Sequence, residues 1–300
     1  MITPNPLFPG ARIALISPAS PVPETSQVAA SMDCLTALGL DPILYPSCTA
    51  VYGYLSGSDA VRAHDVMDAF LDDSIDGIFC IRGGYGVQRR LPLLDFAAIA
   101  KHPKWFAGYS DITALHILLN QVCGFVTYHT PMPSTEIRKG LDAYTGDYLK
   151  RALFGTLTGD VPSCTPVSCL VPGSAEGLLT GGNLSLVSSS LGTPYEIDTR
   201  GKILFLEDVD EAPYRIDGML NHMRLAGKFD DCAGIILGYF TDCTAKDPEK
   251  SLSLSQVFQD LVIPAGKPTI CGYSCGHSLP SMSLPLGKCV RMSDSVLTIL

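Results

Sequence analysis

The amino-acid sequence predicts an α/β fold of two domains, the first built on a parallel sheet with helices on its faces. Strand and helix patterns alternate through the first half of the chain, which is typical of a parallel sheet. A segment with three prolines and no clear period, between 160 and 173, then breaks the alternation. The length of 300 residues fits one large domain or two ordinary ones, and 46% hydrophobic with 17% charged residues indicates a folded core.

The elements of the first half follow from apolar runs and the residues that end them. One helix pattern runs from Glu24 to Leu38 and ends at Gly39, and a second begins after Ser58, an expected N-cap, and runs to about Leu71. The predicted strands are 12–17, 42–46, 76–84, 105–109 and 125–129.

The second half contains a helix pattern at 216–225 among several apolar strands. We predict strands at 177–181, 202–207, 233–240, 267–273 and 296–300. The expected organisation is an N-terminal domain at 1–158, a linker at 159–174 and a C-terminal domain at 175–300. Ligands bind most often in a cleft where two such domains meet.

Charge and cysteine usage narrow the classes of function. A net charge of -9 without a Lys/Arg run argues against nucleic-acid binding, and no apolar run approaches the ~18–20 residues of a membrane helix. The first residues lack the pattern of a signal peptide. The 11 cysteines contain no CxxC pair, so we expect reduced thiols in a cytoplasmic protein and no zinc site.

The stretch KWFAGYSDITALH (104–116) places a serine on a sharp strand-to-helix turn. Residues 105–109 read as a buried strand, and Ile112 and Leu115 begin a helical period. Ser110 lies at the junction, where the helix dipole favours negative charge and the N–H of Asp111 is unpaired. This is either the turn of a serine nucleophile or an N-cap serine, and the local pattern leaves both open.

RGGYG (82–86) also follows a strand. Its glycines let backbone N–H groups approach a ligand, which makes it either a tight turn or a source of an oxyanion-binding N–H. The segment is not a dinucleotide-binding or phosphate-binding fingerprint.

A serine nucleophile needs a base and an acid that orients the base. His277, in the glycine-flanked loop GYSCGHS, and His129, at the end of a strand, are the competing bases. For the acid, KILFLEDVDE contains Glu207, Asp208, Asp210 and Glu211, and the local pattern does not choose among them.

Six motifs together resemble the LD-carboxypeptidase family of serine peptidases, which also includes microcin-C self-immunity peptidases. In chain order they are ISPAS, RGGYG, KWFAGYSDIT, GGNLSLVSSSLGTPY, FLEDVDEAPYRID and GYSCGHS. They span residues 16 to 278 and so cover nearly the whole chain.

The resemblance implies a Ser–Glu–His triad of Ser110, Glu207 and His277, with an oxyanion hole from the N–H groups of Gly84 and Asp111. It also implies a β-rich C-terminal domain, an active site between the domains and a homodimer. No metal or organic cofactor is expected.

Four residues are candidates for contact with the substrate. Arg82 could bind the terminal carboxylate or pair with an acid of the protein, and Gly83 lies beside it. Asn183, in GGNL, is either a helix cap or a substrate contact. His129 is expected to shape the pocket, although Thr130 stands where the family usually has a glycine.

The function that the resemblance implies is hydrolysis of the L,D bond to a terminal D-alanine in cytoplasmic murein tetrapeptides. Cleavage of an acylated nucleotide-peptide such as microcin C is the alternative. A substrate of that kind favours an aromatic side chain that can stack on its nucleobase, and residues 160–173 contain no aromatic residue. A non-catalytic protein that binds murein peptides is the third hypothesis.

Overall fold

The computed structural model describes residues 1–300 and divides into two compact units. The first comprises Met1–Thr156 and Ser283–Gly287, and the second comprises Leu157–Met282 and Lys288–Leu300. The strands in chain order are β1 (Arg12–Ile16), β2 (Asp41–Leu44), β3 (Gly77–Cys80), β4 (Trp105–Gly108), β5 (Thr127–His129), β6 (Gly159–Val161), β7 (Ser168–Val171), β8 (Ala175–Asn183), β9 (Ile203–Val209), β10 (Gly234–Thr241), β11 (Thr269–Cys271), β12 (Leu284–Leu286), β13 (Cys289–Ser293) and β14 (Val296–Ile299).

The helices lie between these strands. They are α1 (Thr25–Ala37), α2 (Asp59–Leu71), α3 (Val87–Arg90), α4 (Phe96–Ile99), α5 (Thr113–Gln121), α6 (Ala143–Leu153), α7 (Leu184–Ser189), α8 (Pro213–Leu225), α9 (Lys228–Asp231) and α10 (Leu254–Leu261). The side chain of Ser58 accepts a hydrogen bond from the N–H of Val61, which confirms the predicted N-cap of α2.

The first unit is built on a six-stranded sheet in the order β12-β5-β4-β3-β1-β2. All pairs are parallel except β12 with β5. β3 and β4 are buried along their whole length, as expected for strands covered on both faces. The order β2-β1-β3-β4-β5 is doubly wound and reverses between β1 and β3, where ligands of such sheets bind at the carboxyl ends of the strands.

The second unit contains an eight-stranded mixed sheet in the order β6-β14-β13-β8-β9-β10-β11-β7. Its centre, from β8 to β11, is parallel, and the strands flanking that centre are antiparallel. The α/β fold class with a parallel N-terminal sheet is therefore confirmed.

Two observations concern the chain as a whole. None of the helices combines the length and apolar character that crossing a membrane requires.

All of the cysteines are free, and six of them, including Cys80 and Cys275, are buried.

Candidate active site

Ser110 lies on the turn between β4 and the helical segment that follows. A short 3-10 helix covers Ser110–Ile112 and continues into α5, so the first turn is tighter than the predicted α-helix. The φ of Ser110 is 64°, in the left-handed region that residues other than glycine rarely adopt. Such strained residues cluster at functional sites, where the surrounding structure holds them in place. The half-buried hydroxyl of Ser110 is therefore presented by a fixed backbone.

The loop at 82–86 lies directly against this serine. A Cβ placed on Gly83 would come within 3.0 Å of the Ser110 Oγ, so only glycine permits this approach. Gly84 has a φ of 117°, and a Cβ there would come within 2.4 Å of the Ser20 Oγ. The predicted close approach of the RGGYG backbone to its surroundings is thus required by the fold.

Two backbone donors in this region have no acceptor within the protein. Neither the N–H of Gly84 nor the N–H of Asp111 forms a hydrogen bond to another group of the chain. The Asp111 carboxylate, by contrast, is buried and accepts a hydrogen bond of 2.9 Å from the N–H of Val87. Burial raises the pKa of Asp111 to about 6. The two free N–H groups are of the kind that stabilises an oxyanion.

Glu207 and His277 are joined in the second unit, 70 residues apart in the chain. The Glu207 Oε2 lies 2.6 Å from the Nδ1 of His277, which donates to the carboxylate in the tautomer that leaves the lone pair on Nε2. Glu207 is fully buried in β9, whereas the His277 side chain is 14% exposed in the loop after β11. A buried carboxylate that orients a partly exposed imidazole is the arrangement of acid and base in a serine-hydrolase triad.

The other three carboxylates near Glu207 have different partners. Asp208 is buried, and its oxygens accept hydrogen bonds from Asn183 Nδ2 and from the backbone and hydroxyl of Ser185. Burial raises the pKa of Asp208. Asp210 is exposed with a φ of 57°, and Glu211 forms an ion pair with Arg215. None of the three is bonded to His277.

The predicted substrate contacts have diverse surroundings. Arg82 donates from Nη1 to the carbonyl of Pro21 and forms no ion pair, so the alternative role of pairing with an acid is not observed. Its buried Nε has no hydrogen-bond partner, and burial lowers the pKa of its guanidinium. Asn183 caps α7 by accepting from the N–H of Leu186, so its predicted capping role is observed. His129 is buried, and its ring packs edge-on against Tyr109 at 5.5 Å.

Thr130, the departure from the family pattern, is buried in the first unit. Its Oγ1 lies 2.6 Å from the Oγ of Ser283, in the segment that returns to the first sheet as β12. The extra hydroxyl therefore has a hydrogen-bond partner, and the threonine is accommodated without an unpaired polar group.

One residue that holds the site together could not be assigned a role from the sequence. Ser20 donates its N–H to the carbonyl of Gly83, and its Oγ accepts from the N–H of Tyr85. The only signal was its place in the ISPAS motif at the end of β1, because a hydrogen bond between loops 65 residues apart leaves no local pattern.

The five predicted catalytic and oxyanion positions are distributed over the two units. Ser110, Gly84 and Asp111 belong to the first, together with Gly83, and Glu207 and His277 belong to the second.

Comparison with known proteins gives consistent matches over most of the chain. Residues 13–130 match the LD-carboxypeptidase N-terminal domain, and residues 176–292 match the LD-carboxypeptidase C-terminal domain. The chain is 44% identical over 295 residues to the "Probable murein peptide carboxypeptidase" of Bacillus subtilis (strain 168), covering 97% of this chain and 92% of that protein.

Two solved structures share the fold. The MccF-like protein of Bacillus anthracis str. Ames is 27% identical, with a TM-score of 0.88 and coverage of 100% of this chain and 99% of that one. The muramoyltetrapeptide carboxypeptidase of Oxalobacter formigenes is 26% identical, with a TM-score of 0.83 and coverage of 96% and 97%.

Proposed function

From the premise that this chain belongs to the LD-carboxypeptidase family and is a serine carboxypeptidase, we propose that it hydrolyses the L,D bond to the terminal D-alanine of murein tetrapeptides. The observation that carries the proposal is the hydrogen bond between Glu207 and His277 Nδ1, which prepares an imidazole to act as a base. The name of the Bacillus subtilis relative supports a murein peptide as the substrate class.

In the proposed mechanism, the Ser110 Oγ attacks the carbonyl carbon of the L,D bond while His277 Nε2 takes the hydroxyl proton. Glu207 stabilises the imidazolium that forms. The N–H groups of Gly84 and Asp111 donate to the oxyanion of the tetrahedral intermediate. The C–N bond then breaks as His277 protonates the leaving amine of D-alanine, which leaves an acyl-enzyme on Ser110. In the second half of the reaction, His277 takes a proton from water, the water oxygen attacks the acyl carbon, and the C–O bond to Ser110 breaks as the Oγ takes back a proton from His277.

The carboxylate of the terminal D-alanine requires a cationic partner. Arg82 fits this role because it begins the glycine loop (residues 82–86), forms no ion pair within the protein and has a buried Nε without a hydrogen bond. An arginine can bind a carboxylate through two parallel N–H groups. Direct contacts of the substrate with Gly83, His129 and Asn183 stay predictions.

Replacing Arg82 with glutamine is expected to raise the KM for the tetrapeptide by ~10–100-fold, because a hydrogen-bonded charge pair is lost. The effect on kcat is expected to be smaller. Arg89→Gln is the matched control. Arg89 is an exposed arginine of α3, the helix that follows the loop, and it forms an ion pair with Asp59 of α2. Equal KM values for the two variants would contradict the assignment of Arg82.

Glu207→Gln is expected to lower kcat by ~10²–10⁴-fold, because the neutral amide no longer stabilises the imidazolium and can hold the wrong tautomer. Glu211→Gln, a change of the same type at a half-buried ion pair, is expected to leave kcat within about twofold. Steady-state kinetics of the two variants at temperatures where both are folded tests this. A larger loss of kcat in Glu211→Gln than in Glu207→Gln would show that Glu207 is not the acid that orients His277.

A nucleotide-peptide is the second candidate substrate class, and one observation favours it. Tyr54 and Tyr85 form an edge-to-face pair with ring centroids 5.6 Å apart, and they are 66% and 55% exposed. Exposed tyrosines beside the glycine loop offer the aromatic surface that a nucleobase requires and that residues 160–173 lack.

The decisive experiment incubates the purified protein with disaccharide-free tetrapeptides that contain lysine or diaminopimelate, and detects D-alanine by mass spectrometry. We expect release of D-alanine and no cleavage of the epimer that ends in L-alanine. An acylated aspartyl-adenylate analogue, assayed in parallel, represents the alternative. Preferential cleavage of that analogue would replace the main proposal, and binding of the tetrapeptide without cleavage would support the non-catalytic hypothesis.

A cytoplasmic location and a homodimer are also part of the proposal. The location is inferred from the cysteine usage of the sequence and from the family resemblance, and the homodimer from the resemblance alone. Fractionation of cells that produce the protein tests the location, and light scattering coupled to size-exclusion chromatography tests the dimer. A monomeric mass at micromolar concentration would contradict the homodimer.

A further inference from the structure

Two arginines are completely buried beneath the glycine loop of the first unit. Arg62 lies on α2 and Arg90 ends α3, and neither has any exposed surface. Both donate from Nη1 to one carbonyl, that of Pro18, at 3.0 Å for Arg62 and 2.7 Å for Arg90. The Nη1 of Arg62 also donates to the carbonyl of Gly86 at 2.8 Å. Arg62 therefore bridges two separate stretches of backbone.

The two stretches are the loops that follow β1 and β3, the neighbouring strands at which the strand order of the sheet reverses. Pro18 belongs to the first loop, and Gly86 ends the second. Ser20 adds two further links between them, through the carbonyl of Gly83 and the N–H of Tyr85. The Gly83–Gly86 segment is thus fixed to the β1 loop at both of its ends.

The same segment is fixed to the turn of Ser110. Val87, the residue after Gly86, donates its N–H to the Asp111 carboxylate. Asp111 also has favourable electrostatic interactions with Arg62 and Arg90. The segment that lies against the Ser110 hydroxyl is therefore linked to the β1 loop through Arg62 and to the turn after β4 through Asp111.

A core does not need these charges for stability. Buried ionic groups can often be replaced by apolar side chains of similar volume at little cost, because charges lose their hydration on burial. The Nε of Arg62 and both the Nε and Nη2 of Arg90 are buried without hydrogen-bond partners, so this cost is only partly compensated. What these arginines provide, and an apolar side chain cannot, is a fixed position for the Pro18 and Gly86 carbonyls.

We infer that Arg62 is a positioning residue for the oxyanion hole: by bridging the carbonyls of Pro18 and Gly86, it holds the Gly83–Gly86 segment, and with it the N–H of Gly84, in place at Ser110. The inference rests on the proposed function, since it assigns the Gly84 N–H to an oxyanion. An oxyanion donor must lie within hydrogen-bond distance of the developing charge, and misplacement by about 1 Å costs ~10²-fold in rate. Arg62 acts through the loop and does not itself touch the substrate.

Arg62→Lys is the first test, because lysine keeps the positive charge and loses the planar fork that reaches two carbonyls. We expect kcat to fall by ~10–100-fold and KM to change by less than about twofold, since the interaction lost acts in the transition state. The rate at which a fluorophosphonate labels Ser110 is expected to fall by a similar factor, because its phosphoryl oxygen requires the same N–H donors. A purely structural role would lower Tm and leave both rates unchanged well below Tm.

Three further variants keep the test decisive. Ser20→Ala removes the acceptor for the Tyr85 N–H at a partly exposed site, and is expected to lower both rates by ~3–10-fold while the protein folds normally. The double variant is expected to lose less than the product of the single losses, because both residues hold one loop. Arg89→Gln disturbs only the exposed Asp59 pair that Arg62 shares, and is expected to react at the wild-type rate.

The outcomes separate this inference from the proposed function. A wild-type protein that is labelled at Ser110 and does not cleave the tetrapeptide would contradict the proposed substrate, and the labelling rates would still test Arg62. Unchanged labelling rates in folded Arg62→Lys and in Ser20→Ala would overturn the inference, whatever the substrate is.

Discussion

Ser110→Ala is expected to lower kcat for the murein tetrapeptide on the order of 10⁵-fold or more while leaving the protein folded. The expected loss is large because the substitution removes the atom that forms the covalent bond to the substrate, and no other group at the site can replace it. The KM is expected to change little, because the hydroxyl contributes to the reaction and not to ground-state binding.

Stability provides an independent control on this variant. Alanine at position 110 keeps the left-handed backbone conformation and loses no buried packing, so the free energy of unfolding is expected to stay within about 1 kcal/mol of wild type. Ser110→Gly relieves the strained φ and is expected to be more stable than Ser110→Ala by ~1 kcal/mol. Ser26→Ala, at an exposed position of α1, is the matched serine-to-alanine control. Near-normal turnover by folded Ser110→Ala would remove the serine from the mechanism.

His277→Ala is the second change for which we expect a loss of kcat on the order of 10⁵-fold or more. Without the imidazole, the Ser110 hydroxyl keeps its proton and the leaving amine receives none. The substitution also leaves the fully buried carboxylate of Glu207 without its histidine partner, so we expect lower stability as well. Kinetics well below Tm separates the two effects.

The double variant Glu207→Gln/His277→Ala gives a sharper control for this prediction. It removes the unpaired charge and is expected to recover stability relative to His277→Ala without recovering kcat. His129→Ala, at the competing histidine, is expected to keep a kcat far above that of His277→Ala. If His129→Ala lost more kcat than His277→Ala, the assignment of His277 as the base would be wrong.

The sequence predicted the parts of the fold that depend on local pattern. Strands β1 to β5 and helices α1 and α2 were identified because their apolar periods and end signals are encoded within a few residues. β12 was not, because its three residues include Pro285 and pair with β5 over more than 150 positions of chain. The edge strands β6 and β7 lie in the stretch that the sequence predicts as a linker, where prolines and a missing period conceal short strands.

The candidate site likewise combines features that the local sequence pattern reveals with features that depend on contacts between distant residues. The turn at Ser110 and the glycine loop could be identified from residues adjacent in the chain. The local pattern left four carboxylates open, and only the family resemblance selected Glu207, because the contact that distinguishes it joins residues 70 positions apart. Arg62 could not be found at all, since an arginine in a helix pattern predicts a solvated side chain and this one is fully buried.

The central claim is that Ser110 is a nucleophile activated by His277 and Glu207. It is tested most directly by labelling the protein with a fluorophosphonate, mapping the modified residue by peptide mass spectrometry, and measuring the rate in four proteins. We predict one adduct, on Ser110 of the wild type, with labelling slowed at least ~10²-fold in His277→Ala and in Glu207→Gln, and absent in Ser110→Ala. An adduct on another serine, or equal labelling rates in the wild type and the two other variants, would contradict the claim.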